Sequence, residues 1–239
     1  MRFGRKKNID WESEEYKRAR FHYLLQIIYG ESLATNYCHT MSTFAPTDAA
    51  CDFLLQQQQE EGTHLELLTD VVSAMDRPPV YISKQMHKMH DIMNGALEKK
   101  DWASCILVQN FIVEGLSLTL CQQQGKYGDE KIHQVFDRIL KDEVRHVEFG
   151  IQELKKIIDA DSNGTIQKKL IRIQRKTLYR AILLFKDLAP DADDIGIAWD
   201  DLAEKVVREH MERIARAGLR LPWADRIFLK SAIAFFVAI

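Results

Sequence analysis

Two parts of this sequence repeat one arrangement: a glutamate, a turn signal, and a Glu-x-x-His tetrad equally far beyond it. Glu31 lies 30 residues before Glu61, which opens Glu61–His64, and the midpoint is Pro46. Glu114 lies 29 residues before Glu143, which opens Glu143–His146, and the midpoint falls at Gly128 and Asp129. Residues three apart share a helix face. In an antiparallel helical hairpin, residues equidistant from the turn sit at one level. At 1.5 Å per residue, both sets lie roughly 22 Å from their turns. Glutamates from two helices plus Glu-x-x-His from two more make the four-helix di-metal carboxylate site. The metal ligands expected are therefore Glu31, Glu61, His64, Glu114, Glu143 and His146.

Random placement of the 8 histidines and 16 glutamates would give only about 0.5 such tetrads, and a third is present, Glu130–His133. It has no glutamate upstream at matching distance. It also lies about 20 Å along the same helix from His146, so it reads as a first-turn acid and an ordinary histidine. The paired glutamates sit among apolar neighbours: Ile27, Ile28 and Ala34 around Glu31; Phe111, Ile112, Val113 and Leu118 around Glu114. Four inward carboxylates would be costly without cations. Two divalent ions would balance them, and imidazole with carboxylate suits iron or manganese. Two irons are expected, although manganese suits one position. The zinc-protease pattern H-E-x-x-H is absent.

The rest of the chain reads as helix. Apolar residues recur at three-to-four spacing, and none of the five prolines interrupts a long periodicity. Helices are expected at 12–43, 47–75, 83–99, 101–124, 129–160, 165–188, 198–217 and 222–238. That gives an all-α bundle of about eight helices in a single domain over 1–239. Near-balanced charge, 33 basic against 35 acidic residues, excludes a general nucleic-acid binder. Four cysteines without a C-x-x-C pair suit a reducing compartment, taken as the cytoplasm. No apolar segment follows the basic N-terminal residues as a secretory signal requires. No apolar run is expected to reach the ~18 residues of a membrane span.

Asp142, directly before Glu143, is expected to accept a hydrogen bond from His64. Glu60 is expected to do the same for His146, since metal-bound imidazoles usually donate their outer N–H to a carboxylate or carbonyl. Residues one turn from the ligands supply a candidate substrate wall: Ile27, Leu68, Phe111, Leu118 and Phe136. Gly30, Gly62, Gly115 and Gly150 lie beside or one turn from ligands. Each costs roughly 1 kcal/mol in a helix interior, which either close packing or room for a ligand would explain.

These residues resemble the ferritin-like di-iron carboxylate superfamily and, within it, the cyanobacterial aldehyde-deformylating oxygenases (fatty aldehyde decarbonylases). Gly30-Glu31 with Asn36-Tyr37 resembles their first ligand segment. Cys105 to Gln109 and Ile112-Val113-Glu114 resemble the third, and Lys141 to His146 with Phe149-Gly150 the fourth. The C-terminal helices, with Gly218 and Ala224-Asp225-Arg226, are similar in order and length. The chain departs at Val144, Cys121 and Gln124, where the family has tyrosines, and at Val71 and Val72, where it has a cysteine. Asp142 to His146 instead reads D-E-x-R-H, as in acyl desaturases and bacterial hydrocarbon monooxygenases.

The resemblance implies a ferritin-like bundle and a non-haem di-iron oxygenase whose catalytic group is the di-metal centre itself. Its partners would be O2, a hydrophobic small molecule such as a long-chain aldehyde, and an external electron donor such as a ferredoxin and reductase. A hydroxylase, N-oxygenase or desaturase on the same scaffold is the alternative enzyme. Iron storage is the non-enzyme alternative, although the C-terminal helices beyond the ligand helices would suit a capped cavity better. A basic stripe, Lys168, Lys169, Arg172, Arg175, Lys176 and Arg180, is either a solvated helix face or a docking surface for an acidic carrier.

Overall fold

The computed structural model describes residues 9–237, except 77, 79, 128 and 129. Among them there are helices and no strands. Helix α1 (Glu14–Ser42) starts where the Ser13 side chain accepts a bond from the Tyr16 N–H. Helix α2 (Asp48–Ser73) starts where Thr47 accepts from Ala50. Both caps satisfy backbone donors that lack a partner in the first turn. The short connection through Pro46 folds the two helices into a tightly packed hairpin. Helix α3 (Lys84–Leu97) follows.

Helix α4 covers 102–127 in three parts: an α turn (Trp102–Ile106), a π segment (Leu107–Val113) and a second α part (Glu114–Tyr127). It pairs with α5 (Glu130–Ala160) as the second hairpin. Helices α6 (Thr165–Ala192), α7 (Trp199–Ala217) and α8 (Trp223–Val237) follow. Gly164 and Gly218, at φ +68° and +75°, supply left-handed positions at the start of α6 and the end of α7. Helix α6 packs on α3, and α7 lies between α5 and α8.

Two expectations change. The helix expected over 101–124 is interrupted by the π segment, which pattern reading cannot separate from α-helix. Helix α6 continues past its expected end at 188, through Pro190, to Ala192. One missing N–H near a helix end costs little here, because Leu188, Asp191 and Ala192 are buried. Asp191 is also held by His22 Nδ1 at 2.6 Å and by Arg18 at 2.7 Å. The stretch Trp102–Gln123 does have the length and average apolarity of a membrane span, but 78% of that window is buried, as in a core helix.

Among the described residues the core forms two apolar clusters. The larger includes Cys38, Met41, Leu54, Leu107, Ile151 and Leu154. The smaller consists of Leu24, Leu68, Val71, Cys121, Ile132, Phe136 and Ile139. On all four ligand-bearing helices the candidate ligands fall between residues of the first cluster and residues of the second. The carboxylate layer is thus closed at both ends of the bundle by hydrocarbon.

The four glycines near the candidate ligands separate by environment. A Cβ at Gly150 would lie 2.7 Å from the Asn110 backbone, and one at Gly115 would lie 2.8 Å from the Arg213 guanidinium. Close packing explains these two. A Cβ at Gly30 would meet only Met86, at 3.7 Å, and one at Gly62 meets nothing within 4 Å. Gly150→Ala should therefore lower stability by about 1–3 kcal/mol, as overpacking does. Gly62→Ala should raise it by up to about 1 kcal/mol through helix propensity. Thermal denaturation of the two variants checks the opposite signs.

Candidate metal centre

The two hairpins bring the six expected residues into one buried layer. Glu61, His64, Glu143 and His146 are wholly inaccessible, and Glu31 and Glu114 nearly so. Two groups of ligand atoms form, each with all atoms within 4.8 Å of one another: Glu31, Glu61, His64 and Glu143, and then Glu61, Glu114 and His146. Glu61 belongs to both. His64 Nδ1 lies 3.3 Å from Glu61 Oε2, 3.7 Å from Glu31 Oε2 and 3.9 Å from Glu143 Oε1. His146 Nδ1 lies 3.2 Å from Glu61 Oε1 and 4.0 Å from Glu114 Oε2.

Both imidazoles turn Nδ1 inward and Nε2 outward. His64 Nε2 is 3.2 Å from Asp142 Oδ2, and His146 Nε2 is 2.9 Å from Glu60 Oε2. These are the carboxylates that the sequence pairs with each ring. Arg145 joins them: its Nη2 donates to Glu60 Oε1 at 2.9 Å and also to Asp142 Oδ1.

The electrostatics show what the layer lacks. Burial, reinforced by Glu61, pushes Glu31 well above the usual carboxylate range. Burial with Glu114, Glu61 and Glu31 does the same to Glu143, and burial with Glu61 raises Glu114 to about 7. Burial also opposes a charge on His64, but Glu31 and Glu61 overcome it and lift the ring to about 11. At Glu61 burial loses to His64 and His146, and the carboxyl stays at about 2. Glu60 is likewise held at about 2, against burial, by His146, Gln56 and Arg145. Without other cations, the layer therefore favours protonated forms at Glu31, Glu143 and His64.

Even so, Glu61 Oε2, both Glu143 oxygens, His64 Nδ1 and His146 Nδ1 have no hydrogen-bond partner. Buried polar atoms rarely go unpaired. These converge, and they are oxygen and imidazole donors. The layer could hold metal ions.

Three buried amides were not legible in the sequence as parts of this layer. Gln57 Nε2 donates to Glu61 Oε1 and Glu114 Oε1, both at 2.9 Å. Its own carbonyl accepts from Asn110 Nδ2 at 2.7 Å. Gln109 Nε2 donates to Glu114 Oε1 at 2.5 Å. Gln57 sits one turn before Glu61, a signal available in hindsight. Gln109 and Asn110 depend on the π segment, whose wider turn carries residue i onto the face of residue i+5.

The third tetrad stays apart: Glu130 and His133 are exposed, and His133 only meets Asp137 at 3.6 Å.

A cavity opens beside the layer, between helices. Glu31, Glu114 and Gln109 are among its lining residues. The rest is mainly apolar, including Ile27, Ala34, Met86, Met89, Leu184 and Leu188. Of the expected wall residues only Ile27 lines it. Leu68 and Phe136 belong to the smaller apolar cluster. Phe111 is turned by the π segment against His210, with ring centroids 5.7 Å apart, and Leu118 packs on the larger cluster. One turn along a helix from a ligand leads toward a bundle end, whereas this cavity enters between helices. Of the basic stripe, Lys169 pairs with Asp101 at 2.7 Å and Arg175 with Asp225 at 2.6 Å. Lys168, Arg172 and Lys176 are exposed.

The family model for long-chain fatty aldehyde decarbonylase matches residues 13–229. Among solved structures, protein 19 with aldehyde deformylating oxidase activity from Synechococcus superposes with a TM-score of 0.80. The alignment has 17% identity and covers 95% of this chain and 99% of that one. At that identity the likeness is one of fold, and it is to the ferritin-like bundle.

Two outcomes follow for metal binding. Glu61→Ala and Glu114→Ala should lower the metal bound per chain, and Glu130→Ala should leave it unchanged, as measured by elemental analysis. The second outcome concerns pH. Glu31, Glu114 and Glu143 have raised values in the folded, metal-free protein. Their contribution is complete below the unfolded carboxylate value and is lost as pH rises through the folded one. Metal binding needs the same groups deprotonated. The gain in Tm on adding ferrous or manganous ion should therefore grow between pH 5 and pH 8, and a gain that shrinks with pH would contradict this assignment.

Proposed function

The chain belongs to the long-chain fatty aldehyde decarbonylase family, and from that premise we propose that it is a di-iron oxygenase converting a long-chain aldehyde into a hydrocarbon and formate. One observation carries the substrate class. The cavity that ends on Glu31 and Glu114 is walled mostly by hydrocarbon, so it suits an alkyl chain with one polar end. A store of iron has no use for such a wall.

We assign Glu31, Glu61, His64 and Glu143 to one iron, and Glu61, Glu114 and His146 to the other, with Glu61 shared. Bound iron would supply the redox chemistry of O2 activation. The protein supplies position and dryness. Ile27, Ala34, Met86, Met89, Leu184 and Leu188 hold the alkyl chain and keep water from the carboxylate layer. Gln57 and Gln109 fix the Glu114 carboxylate by hydrogen bonds to Oε1, which leaves Oε2 turned toward His146. Asp142 and Glu60 orient the imidazoles. Along the cavity wall, the Tyr23 hydroxyl and the Gln109 carbonyl oxygen are buried without a partner. The hydroxyl can donate to an aldehyde oxygen. Electrons come from an external donor such as a ferredoxin with its reductase. We place the reaction in the cytoplasm, in keeping with four free cysteines.

The test is anaerobic loading with iron, reduction, and exposure to O2 with octadecanal. Formate and heptadecane support the proposal. A hydroxylated product, or reaction only with another substrate, would move the chain to a different oxygenase chemistry. Ala34→Phe, which fills the cavity without removing a candidate ligand, should cut long-chain turnover at least tenfold and leave metal content unchanged.

A further inference from the structure

The start of α8 carries an apolar face that the protein leaves in water. Trp223 is 78% exposed, Ile227 41% and Phe228 46%. With Ala224, also exposed, they occupy positions i, i+1, i+4 and i+5, which form one continuous helical stripe. The opposite side is inward: Leu229 is buried, and it lines a second apolar cavity between α6, α7 and α8. Single exposed apolar residues are ordinary, but a stripe with a tryptophan at its head is a contact surface.

Exposed cations flank this stripe. Asp225, the acid within it, is turned under and bound by Arg175, with Nε to Oδ1 at 2.6 Å and Nη2 to Oδ2 at 2.8 Å. That pair sets the basic face of α6 beside α8, with exposed Arg172 and Lys176 on either side of Arg175. The Arg220 N–H donates to Gln167 Oε1 at 2.7 Å, which brings exposed Arg220 beside exposed Lys168. Arg226 is exposed at the edge of the stripe. An acidic carrier protein would use these cations but would leave Trp223, Ile227 and Phe228 unexplained. A second copy of the chain would bring like charges together. An anionic lipid surface uses both features, since apolar side chains enter the acyl boundary while cations meet the headgroups.

We propose that the α8 stripe, rimmed by Arg172, Lys176, Arg220 and Arg226, docks this protein on anionic bilayers. The docking surface does not depend on the aldehyde reading, because it is measured without turnover. Co-sedimentation of the full chain with vesicles of phosphatidylglycerol and phosphatidylcholine in equal parts should show binding, weaker with phosphatidylcholine alone and weakened by salt. Combining Trp223→Glu with Phe228→Glu should cut binding at least tenfold. Combining Arg172→Glu with Lys176→Glu should reduce binding to the anionic vesicles only. These positions are exposed, and circular dichroism verifies that the variants fold. Trp223→Phe should keep binding but lose the fluorescence quenching that brominated lipid gives the unaltered protein. Absence of vesicle binding, or binding that survives the Trp223 and Phe228 exchanges, overturns the proposal. So does a dimer in sedimentation velocity that Trp223→Glu dissolves, since the stripe would then belong to a second copy.

Discussion

Four carboxylates and two imidazoles in one dry layer set the terms for the rest of the molecule. Ionised carboxylates out of water repel one another through a poor dielectric, and each loses its hydration. The metal-free layer answers by keeping protons: Glu31 and Glu143 are driven toward the neutral acid, and His64 toward the cation. Two divalent cations would meet the same demand with better geometry, since they replace several protons and satisfy the orphaned oxygens and nitrogens together. The charge that burdens the metal-free fold is the same charge that would hold cations there.

That layer also dictates where apolar residues go. Leu24, Leu68, Phe136 and Ile139 close it on one side, and Cys38, Leu54, Leu107 and Leu154 close it on the other. Access is left between helices rather than along the bundle axis. The cavity draws Met86 and Met89 from α3 and Leu184 and Leu188 from α6, helices that contribute no candidate ligand. The extra helices thus act on the site from outside, as a wall. Methionines suit that role, because an unbranched, flexible side chain can shape itself to an alkyl chain.

The helices and the carboxylate layer were legible because each depends on spacing within one hairpin. Glu31 with Glu61, and Glu114 with Glu143, announce their level by equal distance from a turn, and i, i+3 fixes the face. The cavity was not legible, because its wall is decided by packing between hairpins and flanking helices. Leu68 and Phe111 show the difference. Both lie within a turn of a ligand, yet one plugs the bundle end and the other is carried away by the π segment. Asn110 shows it again: its Nδ2 reaches the Gln57 carbonyl from within the π segment, a contact that spacing on a regular α-helix does not announce.

Gly150 ties these features together. Its missing side chain lets α5 approach the Asn110 backbone at a distance no Cβ would allow, and Asn110 lies within the π segment. The same segment carries Gln109, whose amide reaches Glu114 five residues on. Close helix approach, the altered helical turn and the amide clamp on Glu114 are therefore coupled rather than independent. A residue larger than glycine at 150 would press on the backbone that sets Gln109 and Asn110, and through them on the carboxylate that Gln57 also holds. The layer is positioned from the α4–α5 contact as much as from its own side chains.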